Sequence, residues 1–217
     1  MPSSRHTSQF LVPALLAFTL VLVPAPASAQ WTLEFFMGTA FSAPTPLTIS
    51  QTGYPDIRLI ADYETRPLHP RQYYAFRAAR WKGDRGWLLE HLHHKVYLKN
   101  LTAEVTAFEV SHGYNLVTIN HGWRRGANLF MLGGGAVITY PHSEVRGKIY
   151  SQDSPYRLSG VTIQGAAARR IDLTRRLFFR GEAKITASWA RVPIVDGHAK
   201  VPNAAFHLLA GVGWEAR

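Results

Sequence analysis

Between Leu177 and Arg191 two kinds of side chain alternate residue by residue. Leu177, Phe179, Ala183, Ile185, Ala187 and Trp189 fall on one face of an extended strand, and Phe178, Arg180, Glu182, Lys184, Thr186 and Ser188 fall on the other. An apolar face backed by a charged one requires two different surroundings on the two sides of a single strand. The same period of two runs through Ala204–Glu215, where Phe206, Leu208, Val212 and Trp214 oppose His207 and Glu215. It returns in Leu158–Ile171, Asn128–Tyr140 and Trp31–Phe41. Tyr73–Trp81, Trp87–Leu98 and Leu116–Arg125 have strand composition, but His121 and either Glu90 or His91 interrupt a face that is otherwise apolar. A β-bulge would correct that register. No stretch after residue 30 carries the 3.6-residue period of an amphipathic helix.

These eight segments are each long enough for the roughly 9–11 residues with which a tilted strand crosses a bilayer. Their connections alternate strictly. Residues 43–72, 99–115, 141–157 and 192–203 form long ones, whereas Lys82-Gly83-Asp84-Arg85, the turn around Gly126, and Asp172-Leu173-Thr174-Arg175 are short. An up-and-down barrel with brief periplasmic turns and long outer loops produces this pattern, because every second connection lies on the same side of the membrane. The expected fold is all-β, an eight-stranded antiparallel transmembrane barrel. Trp31, Trp81, Trp87, Trp123, Phe178 and Trp214 stand near strand ends on the short-turn side, where an interfacial girdle belongs. Eight strands enclose only enough room for side chains. Glu34, Arg77, Arg124, Arg170, Arg180, Glu182, Lys184 and His207 are therefore expected to pair inside a filled lumen rather than to line a pore.

The first 29 residues read as a leader. Arg5 and His6 precede an apolar run from Phe10 to Val23, and Ala27-Ser28-Ala29 before Gln30 has the form of a cleavage site. Residues 30–217 then form the barrel domain. The chain has no cysteine, so no disulfide supports it. Its net charge is +10; the leader takes away only Arg5, leaving 23 Lys and Arg against 14 Asp and Glu. Export makes nucleic acid an unsuitable partner, and lipid or lipopolysaccharide phosphate is the expected counter-charge. Arg58, Arg66 and Arg71, in a segment that also carries Tyr54, Tyr63 and Tyr73, are the expected phosphate contacts. His69, His142 and His198 read as loop residues.

Gly86-Trp87-Leu88-Leu89-Glu90-His91-Leu92-His93-His94-Lys95-Val96-Tyr97, followed by Ser111-His112-Gly113-Tyr114-Asn115-Leu116-Val117-Thr118-Ile119-Asn120, resembles small eight-stranded outer-membrane barrels that include lipid A oxidases. The resemblance implies an outer-rim site with Glu90, His93, His112 and Asn115 as catalytic candidates. His112 departs from it, standing where an acidic residue is expected. Such an enzyme would call for a divalent or redox metal of unknown identity. On an extended strand His91, His93 and Lys95 share one face and Glu90 and His94 the other. Adjacent Ser111 and His112 point to opposite faces, which argues against a Ser–His hydrolase.

Three functions follow. The leading one is a non-porin outer-membrane barrel, acting as a single copy in a structural or interaction role at the lipopolysaccharide leaflet. The alternatives are a lipid A-modifying, oxidase-like enzyme and a soluble periplasmic barrel for a small ligand, which requires the apolar faces to turn inward.

Overall fold

The short-turn ends of the strands set the frame. In the computed structural model, which describes residues 30–69, 72–151 and 156–216 and only the backbone of residues 111 and 112, thirteen strands form one antiparallel sheet. They are β1 (Gln30–Ser42), β2 (Thr45–Gln51), β3 (Ile57–Ala61), β4 (Tyr63–Glu64), β5 (Tyr74–Lys82), β6 (Arg85–Leu98), β7 (Val105–Arg125), β8 (Asn128–Thr139), β9 (His142–Val145), β10 (Lys148–Ser151), β11 (Arg157–Asp172), β12 (Leu177–Ile194) and β13 (Gly197–Ala216). Eight of them close a ring in the order β1, β5, β6, β7, β8, β11, β12, β13, with β13 paired back onto β1. Glycines in the left-handed region, Gly83 and Gly126, turn two of the short connections. Residues 1–29, expected to be a leader, lie outside the described residues.

In the lower part of the ring the alternation resolves as the charges require. Ile185 and Trp189 are 63% and 54% exposed on the outside, while Arg180 and Lys184, on the opposite face of β12, are 2% and 1% exposed inside. Leu33, Phe76, Ile119, Leu132, Ile163, Phe179 and Val212 continue the outer apolar belt around the ring. A closed sheet has no unpaired edge and needs no solvent for its backbone, so such a belt can face hydrocarbon. The fold is an eight-stranded transmembrane β-barrel, and among the described residues of this lower part the inward-facing apolar arrangement of a soluble carrier is not found.

Above the belt the strands continue, and here the expectation of long loops is corrected. Residues 192–203 are almost entirely strand: β12 runs to Ile194 and β13 resumes at Gly197 after a tight turn. His142 and His198 accordingly sit on strands. β2 and β3 extend the sheet from β13, while β4, β9 and β10 extend it from β6 and β7. Leu47, Ile49, Ile57, Val96, Val105, Val110, Val145, Val192, Ile194 and Val201 meet between these extensions in one buried apolar cluster. The top of the barrel is therefore filled by a core of ordinary soluble-protein polarity.

The aromatic girdle needs a second correction. Trp31, Trp87, Trp123 and Trp214 face outward, but Trp81 and Phe178 are buried inside. Arg124 lies 3.8 Å over the Trp81 ring and Arg170 lies 4.0 Å over Phe178. The Trp81 indole N–H donates to Thr32 Oγ1 at 3.1 Å. These cation–π stacks draw two rings into the lower mouth of the lumen. Gly213 makes the space, since a Cβ there would lie 2.1 Å from the Phe178 ring.

Candidate functional site

Halfway up the lumen β1, β5, β6 and β12 each project a charge to the same point. The Arg77 guanidinium donates from Nε to Glu90 at 2.8 Å, from Nη1 to Glu34 at 3.2 Å, and from Nη2 to Glu182 at 2.8 Å and to Glu90. Lys184 pairs with Glu90 and lies 3.3 Å from Glu182, and Arg180 lies 3.1 Å from Glu34. Three cations thus balance three carboxylates, all withdrawn from solvent. Gln164 donates to Glu90 at 2.9 Å and to Asn120 at 2.8 Å, tying β11 and β7 into the network. Above it Tyr73 and Thr186 hold the two ring nitrogens of His207 at 2.6 and 2.9 Å. Below it Arg170 bonds Glu215 and Asp172, and Arg124 donates to Gln30 at 2.9 Å. Every lumen residue expected from the sequence faces inward. The result is a crosslinked plug rather than a polar channel.

The expected catalytic set divides between the two sides of the wall. Glu90 belongs to the lumen plug, whereas His93 and Asn115 lie outside it, so these residues share no site. The physical reason is the strand's own alternation: Glu90 and His93 differ by an odd number of residues. The register left open at Glu90 and His91 is settled with Glu90 inward and His91 outward, and His121 lies outside against the Trp87 and Trp123 rings. A bulge does occur, between His94 and Val96. Lys95 there donates to the carbonyls of Arg66 and His69, at 3.1 and 3.2 Å, and His94 turns inward to Asn203, at 3.2 Å. The side chain of His112 lies outside the described residues, and among the described residues no cluster of three or more His, Asp or Glu is arranged to hold a metal.

What remains on the outer wall is a small polar group that sequence reasoning assembled only in part. Asn115 Oδ1 lies 3.0 Å from His91 Nε2 and 2.9 Å from His93 Nδ1, and its amide Nδ2 donates to the Ile138 carbonyl at 3.2 Å. Tyr74 stacks on His93 with centroids 5.0 Å apart and packs edge-on against His91. His93 and Asn115 are only 4% and 5% exposed despite facing away from the lumen. Tyr74 and His91 went unassigned in the sequence, and the signal for them was the outward parity they share with Asn115 across paired strands.

Of the expected phosphate contacts, Arg58 is exposed beside Asp56, Arg66 pairs with Glu64 and covers the Tyr97 ring, and Arg71 lies outside the described residues. Tyr63 and Tyr73 are buried, while Tyr54 is exposed under Arg146.

No family model matches the chain, and no curated protein matches it. Among solved structures, the attachment invasion locus protein Ail of Yersinia pestis is similar at 12% identity, covering 87% of this chain and 99% of Ail, with a TM-score of 0.41. Neisserial surface protein A is similar at 8% identity over 87% of this chain and 97% of its own, with a TM-score of 0.42. A second Ail structure, in complex with the heparin analogue sucrose octasulfate, matches at 12% identity over the same 87% of this chain and 99% of its own, with a TM-score of 0.40.

Proposed function

We propose that the chain is a non-porin protein of a bacterial outer membrane, cleaved after Ala29, whose upper strands serve a structural or interaction role at the lipopolysaccharide-bearing leaflet. The observation that carries this reading is the apolar belt wrapped around a lumen closed by paired charges: the barrel is built for lipid outside and for no solute inside. The described N- and C-terminal strands pair at the short-turn end, which corresponds to the periplasmic side of such barrels. The long extensions then stand on the outer face.

A basic row supports the lipopolysaccharide contact. Arg191 is paired with Lys200, Lys200 with Thr48, and Thr48 with Arg58, so three exposed cations lie in register across β12, β13, β2 and β3. Arg191 is two residues beyond the outward Trp189, at the height where lipid phosphates begin. Burial, and then the charges of Arg191 and Lys200, hold the neighbouring His198 imidazole below its ordinary pKa. Asp56 is the acidic group beside the row. In this reading Arg58, Arg191 and Lys200 together offer the phosphate contact.

Fractionation tests the main reading. The mature protein should enter the outer-membrane fraction with Gln30 at its N-terminus, and it should migrate differently on a gel before and after boiling. Recovery from the soluble periplasm would overturn the assignment. Lipid A mass spectra from cells with and without the gene test the enzymatic alternative: identical spectra favour the interaction role.

A further inference from the structure

Arg169 stands on the lipid-facing side of the wall. It is exposed on the outward face of β11, between outward Ala167 toward the midplane and outward Ile171 toward the turn. A cation in that position is costly unless an anionic or polar group meets it. Its Nη1 donates to Asn128 Oδ1 at 3.4 Å, and among the described residues no carboxylate pairs with it. Arg125 flanks the same amide from the other strand: it is exposed, in register with Asn128, and likewise without a described carboxylate partner. The rest of the short-turn rim has the same sign. Lys82, Arg85, Arg175 and Arg176 are exposed there beside the carboxylates of Asp84 and Asp172, and Arg170 already holds Asp172.

From the Arg169–Asn128 pair a groove of about 900 Å³ leads up the outer wall. Its course follows the strand register. Asn128 and Arg169 are in line with Gly181, Ala210 and Met37 across β8, β11, β12, β13 and β1, and the next rung carries Ala167 and Ala183. Phe179 and Val212 stand one rung below this low floor, and Ile185 and Phe206 one rung above it. A Cβ on Gly181 would meet nothing within 4 Å, so the floor is open space. The row climbs, because Arg169 lies close to the β11–β12 turn while Met37 stands in the middle of β1. Crossing from β8 to β1 covers about 19 Å, which a strand tilt of about 40° turns into a rise of about 12 Å. Half of a hydrocarbon core is about 15 Å. The groove therefore fits one acyl chain from headgroup level to near the midplane.

We infer that this groove holds one glycerophospholipid of net negative charge from the leaflet at the short-turn end. Its phosphate meets Arg169 and Arg125, and one acyl chain lies across Gly181 and Ala210. Phosphate oxygens accept charge-assisted bonds from both guanidinium groups. Asn128 Oδ1 already accepts from Arg169, which leaves Nδ2 to donate to the same oxyanion. A zwitterionic headgroup would bring an ammonium among the rim cations, so the site selects an anionic one. This goes beyond the role proposed for the upper strands and rests on the outer-membrane reading only in making that leaflet the periplasmic one.

The test uses the full mature chain, refolded into vesicles of equimolar phosphatidylcholine and phosphatidylglycerol with matched acyl chains and first shown to be heat-modifiable. It is then extracted in mild detergent and weighed with its bound lipid by native mass spectrometry. Phosphatidylglycerol should be retained in preference to phosphatidylcholine. Arg169→Gln should weaken phosphatidylglycerol binding about tenfold, the worth of one hydrogen bond to a charged group. Gly181→Leu fills the floor with a side chain suited to lipid, and it should reduce the retention of both lipids while the folded gel band stays in place. Equal retention of the two lipids by the unaltered barrel would overturn the inference. So would phosphatidylglycerol binding that is undiminished in either variant. A chain that never gives the heat-modifiable band would instead overturn the outer-membrane reading, and that step precedes every lipid measurement.

Discussion

The lower and upper storeys of this barrel are made from the same strands and have opposite polarity. On β12, Ile185 and Trp189 face out and Lys184 faces in; a few residues further on, Arg191 faces out and Val192 and Ile194 face in. The pleat does not change between them, since β12 pairs with β13 in unbroken register throughout. What changes is the medium beyond the wall. Lipid rewards apolar side chains outside and leaves the interior to paired charges, while water reverses both preferences. The crossover near Ala190 thus marks the upper edge of the membrane from chemistry alone.

This contrast can be broken most severely in the lumen. Arg77→Met leaves Glu34, Glu90 and Glu182 facing Lys184 and Arg180 alone, and breaking a buried pair costs about 3–5 kcal/mol. The expected outcome is a large drop in the denaturant midpoint of the folded gel band; an unchanged midpoint would mean that the plug does not hold the ring together. Next in size is a matched pair of outward substitutions. Ile185→Arg in the belt should cost about 2–4 kcal/mol near the midplane, whereas Ile60→Arg, on the exposed outside of β3 in the upper storey, should stay within about 0.5 kcal/mol. Equal costs would show that both storeys face the same medium.

A smaller change sharpens the comparison. Ile49→Val removes one methylene from the upper core and should cost about 0.5–1.5 kcal/mol. That loss should appear as faster proteolysis of the β2–β3 hairpin, without a shift in the lower barrel's gel mobility. The smallest effect lies at the hairpin tip. Ser50 and Arg58 hold the Asp56 carboxyl below its ordinary pKa. A depressed carboxylate stabilises the fold above its unfolded pKa and loses that contribution as the pH falls through its folded value. Hairpin protection should therefore weaken only below about pH 4, and Asp56→Asn should remove that dependence while leaving neutral-pH protection nearly intact.

Much of this was readable because the barrel's inversion leaves a strong mark on each strand. A face carrying Arg180, Glu182 and Lys184 opposite Leu177, Phe179 and Ile185 admits one orientation in a membrane, and the short turns gave the ring its up-and-down order. Trp81 and Phe178 were misread because nearness to a turn was given more weight than alternation, which already puts Phe178 on the face of Arg180 and Trp81 on the face of Arg77. Arg124 and Arg170, on other strands, draw them inside. Residues 192–203 looked like a loop because Pro193, Gly197 and Pro202 punctuate them. Their strand character comes from pairing with each other and with β2, a partnership no local pattern announces.

The candidate site shows the same division. Alternation already separated Glu90 from His93, and only the closure of the sheet makes that separation absolute, with one residue in a charged lumen and the other on the outer wall. By itself the sequence determined the period, the eight strands of the ring, the outward belt and the composition of the plug, because these depend on neighbours two residues apart along one chain segment. The tertiary structure alone decided which charges meet, and that Tyr74, His91, His93 and Asn115 gather at one point. Those depend on register between strands distant in sequence, which is set when the ring closes and every backbone donor must find its partner at once.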